Sequence, residues 1–219
     1  MGIIWGMRSF RYFADVSSNN GVISVQHYSE AGHALLAIKA TEGTGYVNPG
    51  HLKWCEDAHA QGLTVAHYHF CRPGERNIQA ELDNFRHAYL SGWRAGDYVV
   101  LDLEVDELTS GPLTVESYAK SFLGKVIDQT GHPPVLYTYQ AFREEHLKNL
   151  HVPGGRIWLA KYSAGEPTIN HPNSLWAWQY TDGEAGPPPH YYSGIGKSDG
   201  SILNLGVAAR LWVRKQRTK

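Results

Sequence analysis

The stretch Tyr98-Val99-Val100-Leu101-Asp102-Leu103-Glu104 runs apolar for four residues and then sets two carboxylates two positions apart. A short β-branched run of this kind reads as a strand buried on both faces, as parallel sheets require. Side chains along a strand alternate in direction, so Asp102 and Glu104 point to one face with their Cα atoms roughly 6 to 7 Å apart. Carboxylates that close resist ionising together, which leaves one proton donor beside one anion. Glycosidic cleavage needs that division of labour: an acid for the leaving oxygen and a negative group for the positive charge that develops at the anomeric carbon. A D-x-E pattern alone has a plainer explanation, with one carboxylate paired to a buried Lys or Arg and the other on the surface. Its place after an apolar strand is what gives it weight.

Outward from this strand, β-rich runs alternate with helix-like segments. Strands are predicted at Tyr12 to Val16, Leu35 to Ala40, Thr64 to Phe70, Tyr98 to Glu104, Pro134 to Tyr139, Ile157 to Tyr162 and Leu175 to Tyr180. Helices are predicted at Pro49 to Gln61, Glu75 to Leu90 and Val115 to Thr130, with Pro49 and Gly62 as start and stop signals of the first. Later connections, such as His171-Pro172-Asn173 and Gly186-Pro187-Pro188-Pro189, are short on helix formers. The pattern describes one α/β domain, a modified TIM-like barrel of about five β/α units followed by strands with few helices. An open doubly wound sheet is the alternative. Barrel enzymes hold their chemistry at the carboxyl ends of the strands. Asp15, Glu42, His69, Asp102 and Glu104 all fall at such ends.

The bulk properties narrow the partner. A length of 219 residues suits one barrel, and a formal net charge of -1 gives no general reason to bind nucleic acid or an anionic membrane. Seven Trp and thirteen Tyr offer flat faces for sugar stacking or for core packing. No run reaches the roughly 18 apolar residues of a membrane span, and Met1 to Phe10 lacks a secretory pattern. Cys55 and Cys71 are expected to be reduced. His67-Tyr68-His69 could open a metal site, but no second His pair or cysteine cluster with ligand spacing is visible, so neither metal nor cofactor is expected. The His residues read instead as hydrogen-bonded core groups or as orienters of a carboxylate. No G-x-S-x-G elbow, phosphate loop or dinucleotide fingerprint is present. Arg210 to Lys219 reads as a basic, solvated tail.

Taken in order, a set of motifs resembles the glycoside hydrolase family 25 lysozymes, the N-acetylmuramidases often found as phage endolysins. They are Asp15-Val16-Ser17 with Asn20-Gly21, Ile38-Lys39-Ala40-Thr41-Glu42-Gly43, His67-Tyr68-His69-Phe70 after Gly62-Leu63, and Leu101-Asp102-Leu103-Glu104. Pro-Val-Leu-Tyr-Thr at 134–138, Trp158-Leu159-Ala160 with Tyr162, and Trp178-Gln179-Tyr180 follow. The resemblance runs from about Phe13 to Leu205 and implies a catalytic barrel over 1–209, modified to five β/α units followed by three strands with few helices, with a basic tail at 210–219. It also implies hydrolysis of the β-1,4 bond between N-acetylmuramic acid and N-acetylglucosamine in bacterial peptidoglycan. By motif, Glu104 becomes the general acid, Asp102 the second carboxylate, and Asp15 a further acid. Asp199, in a run with a wider Asp-to-Asn spacing than the family's, is the fourth. Glu42, Tyr68, His69, Tyr137, Trp158 and Gln179 become substrate-binding residues, with Trp158 equally readable as core. The implied setting is a monomer made without a signal peptide in an infected host's cytoplasm, acting on the wall after release. A catalytically silent wall-binding module on the same fold and a metal-dependent barrel hydrolase are the competing readings.

Overall fold

A computed structural model describes residues 11–108, 111–170 and 173–204. The amino-terminal decapeptide, the His171-Pro172 pair and the basic tail at 210–219 lie outside these residues.

Strand β1 (Tyr12–Val16) is followed by helix α1 (Val25–Glu30), β2 (Leu35–Glu42), the short β3 (Tyr46–Val47), α2 (His51–Ala60) and β4 (Thr64–Phe70). Then come α3 (Ile78–Gly92), β5 (Tyr98–Asp102), α4 (Val115–Thr130), β6 (Val135–Tyr139), α5 (Gln140–His146) and β7 (Arg156–Ala160). The chain continues through β8 (Ser174–Thr181), the small ribbon β9 (Tyr191–Tyr192) and β10 (Gly196–Lys197), and β11 (Asp199–Leu203). The sheet order β1-β11-β8-β7-β6-β5-β4-β2, with β1 also paired to β2, closes the strands into a barrel. Every barrel pairing is parallel except the two made by β11, which runs antiparallel to both β1 and β8. Five β/α units followed by β7, β8 and β11 therefore form the architecture expected of the sequence, and closure excludes the open doubly wound alternative.

Strand alternation divides the core. Phe13, Leu35, Ala66, Val100, Val135, Trp158 and Trp176 fill the barrel interior, while Val99, Leu101 and Leu103 face outward onto α3 and α4. On the same outward layer Val65 and Ile38 meet Tyr28, Cys55 and Ala58 of α1 and α2. Helix α4 illustrates the local logic. Val115, Tyr118, Ala119, Phe122, Leu123 and Val126 form its buried stripe at helical spacing, Thr114 caps its start by accepting from Ser117 N, and Gly131 ends it at φ 70°.

Boundaries differ from expectation for identifiable reasons. Helix α2 begins at His51 because the Asn48 side chain accepts from Gly50 N, which holds Pro49 in the preceding turn. Helix α3 begins at Ile78 because Pro73–Glu75 form a separate 3-10 turn, Arg76 is left-handed and Asn77 supplies the cap. Strand β5 ends at Asp102 rather than Glu104, yet Leu103 N still donates to Tyr137 O at 3.0 Å, so the next residues stay tied to the barrel rim. Five β/α units and three closing strands are expected of the sequence, but the segments that form α1, α5 and β11 carry no local signal that places them.

Replacing Thr114 with Ala removes the α4 cap without touching the barrel interior. Urea unfolding should show a loss of about 1 kcal/mol.

Candidate active site

A cleft opens at the carboxyl ends of the strands. Asp15 from β1, Lys39 from β2, Tyr68 from β4, Asp102 from β5, Tyr137 from β6, Trp158 from β7 and Asp199 from β11 line it, with Glu104 just beyond β5. Parallel strands that end at one level bring together residues far apart in sequence. The antiparallel β11 joins them at its first residue, because the register sets Asp199 directly opposite Asp15. All four acids expected from the sequence therefore share one cleft. Asn20, Asp182, Glu184, Lys197 and Ser198 also line it. Asn20 belongs to a motif quoted from the sequence, whereas the other four sit on a loop or at the β9–β10 ribbon, where no periodic pattern marks them.

The substrate-binding expectations divide. Tyr68, Tyr137 and Trp158 line the cleft. Trp158 is nearly fully buried and its Nε1 donates to Ser201 Oγ at 2.9 Å, so only an edge of the indole can meet a ligand. Gln179 is buried behind the carboxylates and organises them. Its Oε1 accepts from Tyr137 OH at 2.8 Å and Tyr162 OH at 3.0 Å, which leaves Nε2 to donate to Asp15 Oδ2 at 3.0 Å and Asp199 Oδ2 at 3.4 Å. Two tyrosine donors thus fix which end of the amide faces the acids.

Glu42 does not line the cleft. Its carboxylate is taken up by Lys39 Nζ at 2.5 Å and by the Arg72 guanidinium at 2.5 and 2.8 Å, and Arg72 also holds Glu107. Glu42 therefore acts on the site through Lys39, which it pins over the Phe70 ring. His69 departs from the substrate-binding expectation and fits the other reading, a hydrogen-bonded core group. Strand alternation turns it away from the cleft and into the helix layer, where it is fully buried between Thr41 Oγ1 at 2.8 Å and Glu81 Oε2 at 3.1 Å. A side chain with no path to the cleft is a core group, as is its neighbour His67, which faces Asp97.

Burial and mutual repulsion raise the affinity of the acids for protons. Asp102 is held well above the ordinary carboxylate range first by burial and then by Glu104, with Lys39 pulling the other way. Burial and the charge of Asp199 raise Glu104, again opposed by Lys39. Asp15 is raised by burial and by Asp199, and Asp199 is pushed up to about 6, chiefly by burial and by Asp182. Asp102 is the more deeply buried of the central pair, and its Oδ1 has no hydrogen-bond partner among the described residues. A buried, unpartnered carboxylate oxygen is costly and calls for a donor. A second, smaller hollow lies alongside, lined by Tyr139, Gln140, Lys161 and Tyr162, and it shares only Glu104 with the main cleft. Tyr139 and Tyr162 are both about 40% exposed there (40% and 42%). The arrangement can protonate a group at the junction of the two hollows while holding negative charge in the larger one.

A family profile described as Glycosyl hydrolases family 25 matches residues 14–187. The autolytic lysozyme of Clostridium acetobutylicum is 28% identical over 174 residues, which span 77% of this chain and 49% of that protein. The lysozyme of Streptococcus phage Cp-1 is also 28% identical, over 184 residues, 77% of this chain and 50% of that one. The chain thus spans about half the length of these relatives. Among solved structures, the bacterial lysozyme from Streptomyces coelicolor superposes with a TM-score of 0.72 at 24% identity, covering 95% of this chain and 98% of that one.

The raised carboxyl of Asp199 has a consequence for stability. Between the ordinary Asp value near ~3.9 and about 6, the folded protein holds a proton that the unfolded chain has lost, so stability falls as pH rises through that window. Asp199→Asn removes this penalty. Thermal unfolding should place the variant above the wild type at pH 7, with the difference vanishing by pH 4.

Proposed function

The chain belongs to family 25 of the glycosyl hydrolases, and from that premise we propose that it is a muramidase cutting the β-1,4 bond between N-acetylmuramic acid and N-acetylglucosamine in bacterial peptidoglycan. The observation that carries the proposal is the central pair: Glu104 at the junction of two hollows, beside the buried Asp102 with its unpartnered oxygen. The relatives, an autolytic lysozyme and a phage lysozyme, agree with this substrate and with a role in lysis.

In this reading the muramic acid ring occupies the larger cleft, where Asp102, Asp15 and Asp199 face the positive charge that develops at its anomeric carbon. The departing N-acetylglucosamine occupies the smaller hollow, against the exposed faces of Tyr139 and Tyr162. Glu104 stands between them and protonates the glycosidic oxygen. In the free protein, Asp102 is the deeper of the two carboxyls and the better holder of the pair's proton. Arrival of the muramic acid acetamido N–H at Asp102 Oδ1 stabilises the Asp102 anion, and the proton is then carried by Glu104, where the reaction uses it. The same hydrogen bond orients the acetamido oxygen towards the anomeric carbon, so the substrate supplies the nucleophile. Lys39, pinned by Glu42, keeps the pair from holding protons too tightly. Gln179 keeps Asp15 and Asp199 in place.

Two measurements check this. Glu104→Gln should lower release of fragments with a reducing muramic acid end by about 100-fold or more while the protein still sediments with cell walls. Near-normal release would remove Glu104 from the acid's role, and wall binding without release by the wild type would point to a silent binding module. Tyr139→Ala should raise KM for glycan chains roughly five-fold, the loss of one aromatic contact, with kcat little changed. A fall in kcat alone would contradict the placement of the leaving sugar.

A further inference from the structure

On the outer side of the barrel wall, away from the cleft, α2 and β4 bring His51, Cys55 and His67 together. His51 and Cys55 stand four residues apart on α2 and so share one helical face. His67 projects from β4 towards them, opposite in direction to its cleft-lining neighbour Tyr68. All three are buried. His51 Nε2 lies 2.9 Å and Cys55 Sγ 3.8 Å from His67 Nδ1, and the three ligand atoms lie within 4.8 Å of one another.

We propose that His51, Cys55 and His67 form a structural site for a thiolate-preferring divalent metal ion of the zinc type, joining α2 to the barrel wall. Two imidazoles and one thiolate are donors that zinc favours, and they fill three of its four tetrahedral positions, leaving the fourth to a water. The surroundings of His67 match those of a ligand. Its Nε2 faces Asp97 Oδ2 at 3.3 Å, and Asp97 is fixed as an acceptor by Val65 N, Arg94 N and His59 Nε2. With Nε2 protonated towards Asp97, Nδ1 directs its lone pair at His51 and Cys55, the carboxylate–histidine–metal arrangement that orients a ligand and strengthens it.

Charge and stoichiometry balance. Without metal the three groups are neutral, with His51 Nε2–H donating to His67 Nδ1. A divalent ion displaces the Cys55 thiol proton to solvent and shifts the His51 proton from Nε2 to Nδ1. One proton is released per ion bound, and one thiolate with the Asp97 carboxylate balances two positive charges. Nitrogens bound at about 2.0 Å in a tetrahedral site lie about 3.3 Å apart, so the imidazoles need to part by a few tenths of an ångström and tilt until both lone pairs meet at the ion. The packing is tight around the sulfur: a Cβ on Gly92 of α3 would come within 3.0 Å of Cys55 Sγ.

The other histidine–cysteine group, His69, Cys71 and Glu81, carries no such proposal. Both His69 nitrogens are engaged by Thr41 and Glu81, and Glu81 also accepts from Arg72 N and Tyr118 OH. A metal there would displace the His69–Glu81 hydrogen bond and compete with Arg72 N and Tyr118 OH for the Glu81 carboxylate.

The site is closed to solvent, so the test is to refold the full chain with Co(II) or Zn(II), remove excess ion by gel filtration, and record the spectrum and metal content. The proposal expects one ion per chain, a near-ultraviolet thiolate-to-cobalt charge-transfer band, and a zinc-induced rise of several degrees in the unfolding midpoint. Cys55→Ser should lose the band and Cys71→Ser should keep it. Binding well below one ion per chain, or a band that survives in Cys55→Ser, would overturn the proposal. If Cys55→Ser does not fold, the remaining proteins decide: a wild type without the band, or a band lost in Cys71→Ser, overturns it equally.

Discussion

Barrel closure through one antiparallel strand is the constraint on which the site depends. Strand β11 lies between β1 and β8 and is held on both edges, with Tyr12 opposite Ile202 on one side and Trp178 opposite Ile202 on the other. Its direction places Asp199 at the cleft end, opposite Asp15, although β11 runs against every neighbour. The same strand supplies Ser201 to anchor the Trp158 indole. Gly200 fits between them because a Cβ there would come within 2.4 Å of Tyr192 OH and 2.8 Å of Tyr180 OH. Without this closing strand β1 and β8 would be open edges and Asp199 would be missing from the cleft.

Closure concentrates acidic groups in a place that water reaches poorly, and the surrounding residues control the result. Gln179 satisfies two carboxylates with one amide whose orientation is set by Tyr137 and Tyr162. Lys39 supplies the opposing charge near Asp102 and Glu104, and the Glu42–Arg72–Glu107 chain of ion pairs holds it there. Raised proton affinity is thus a product of burial and like charge, limited by one pinned cation. A group that must give up a proton near neutral pH is served by such a balance.

Much of this was legible in the sequence wherever a periodic pattern and a chemical group coincided. The apolar run ending in Asp102 and Glu104 marked both a barrel strand and its acids, and Asp15 closed another such run. The amphipathic stripe of α4 fixed that helix to the residue. What escaped lacked a local signal. Asp199-Gly200-Ser201-Ile202-Leu203 has little strand character by itself and becomes a strand through pairing on both sides. Glu42 and His69 stood at strand ends like the acids, but a one-residue change in direction sends His69 outward, and an Arg thirty positions along the chain captures Glu42. The grouping of His51 and Cys55 with His67 depends on how α2 packs on β4, which neither segment encodes alone.

The fold holds these carboxyls in protonation states that free carboxyls would not adopt. Carbon-13 NMR titration of the side-chain carboxyls, assigned through single Asp→Asn and Glu→Gln variants, measures this directly. Asp15, Asp102 and Glu104 should titrate above the ordinary carboxylate range, the last two in coupled steps, with Asp199 near 6. Four independent titrations near the ordinary value of about 4 would contradict it.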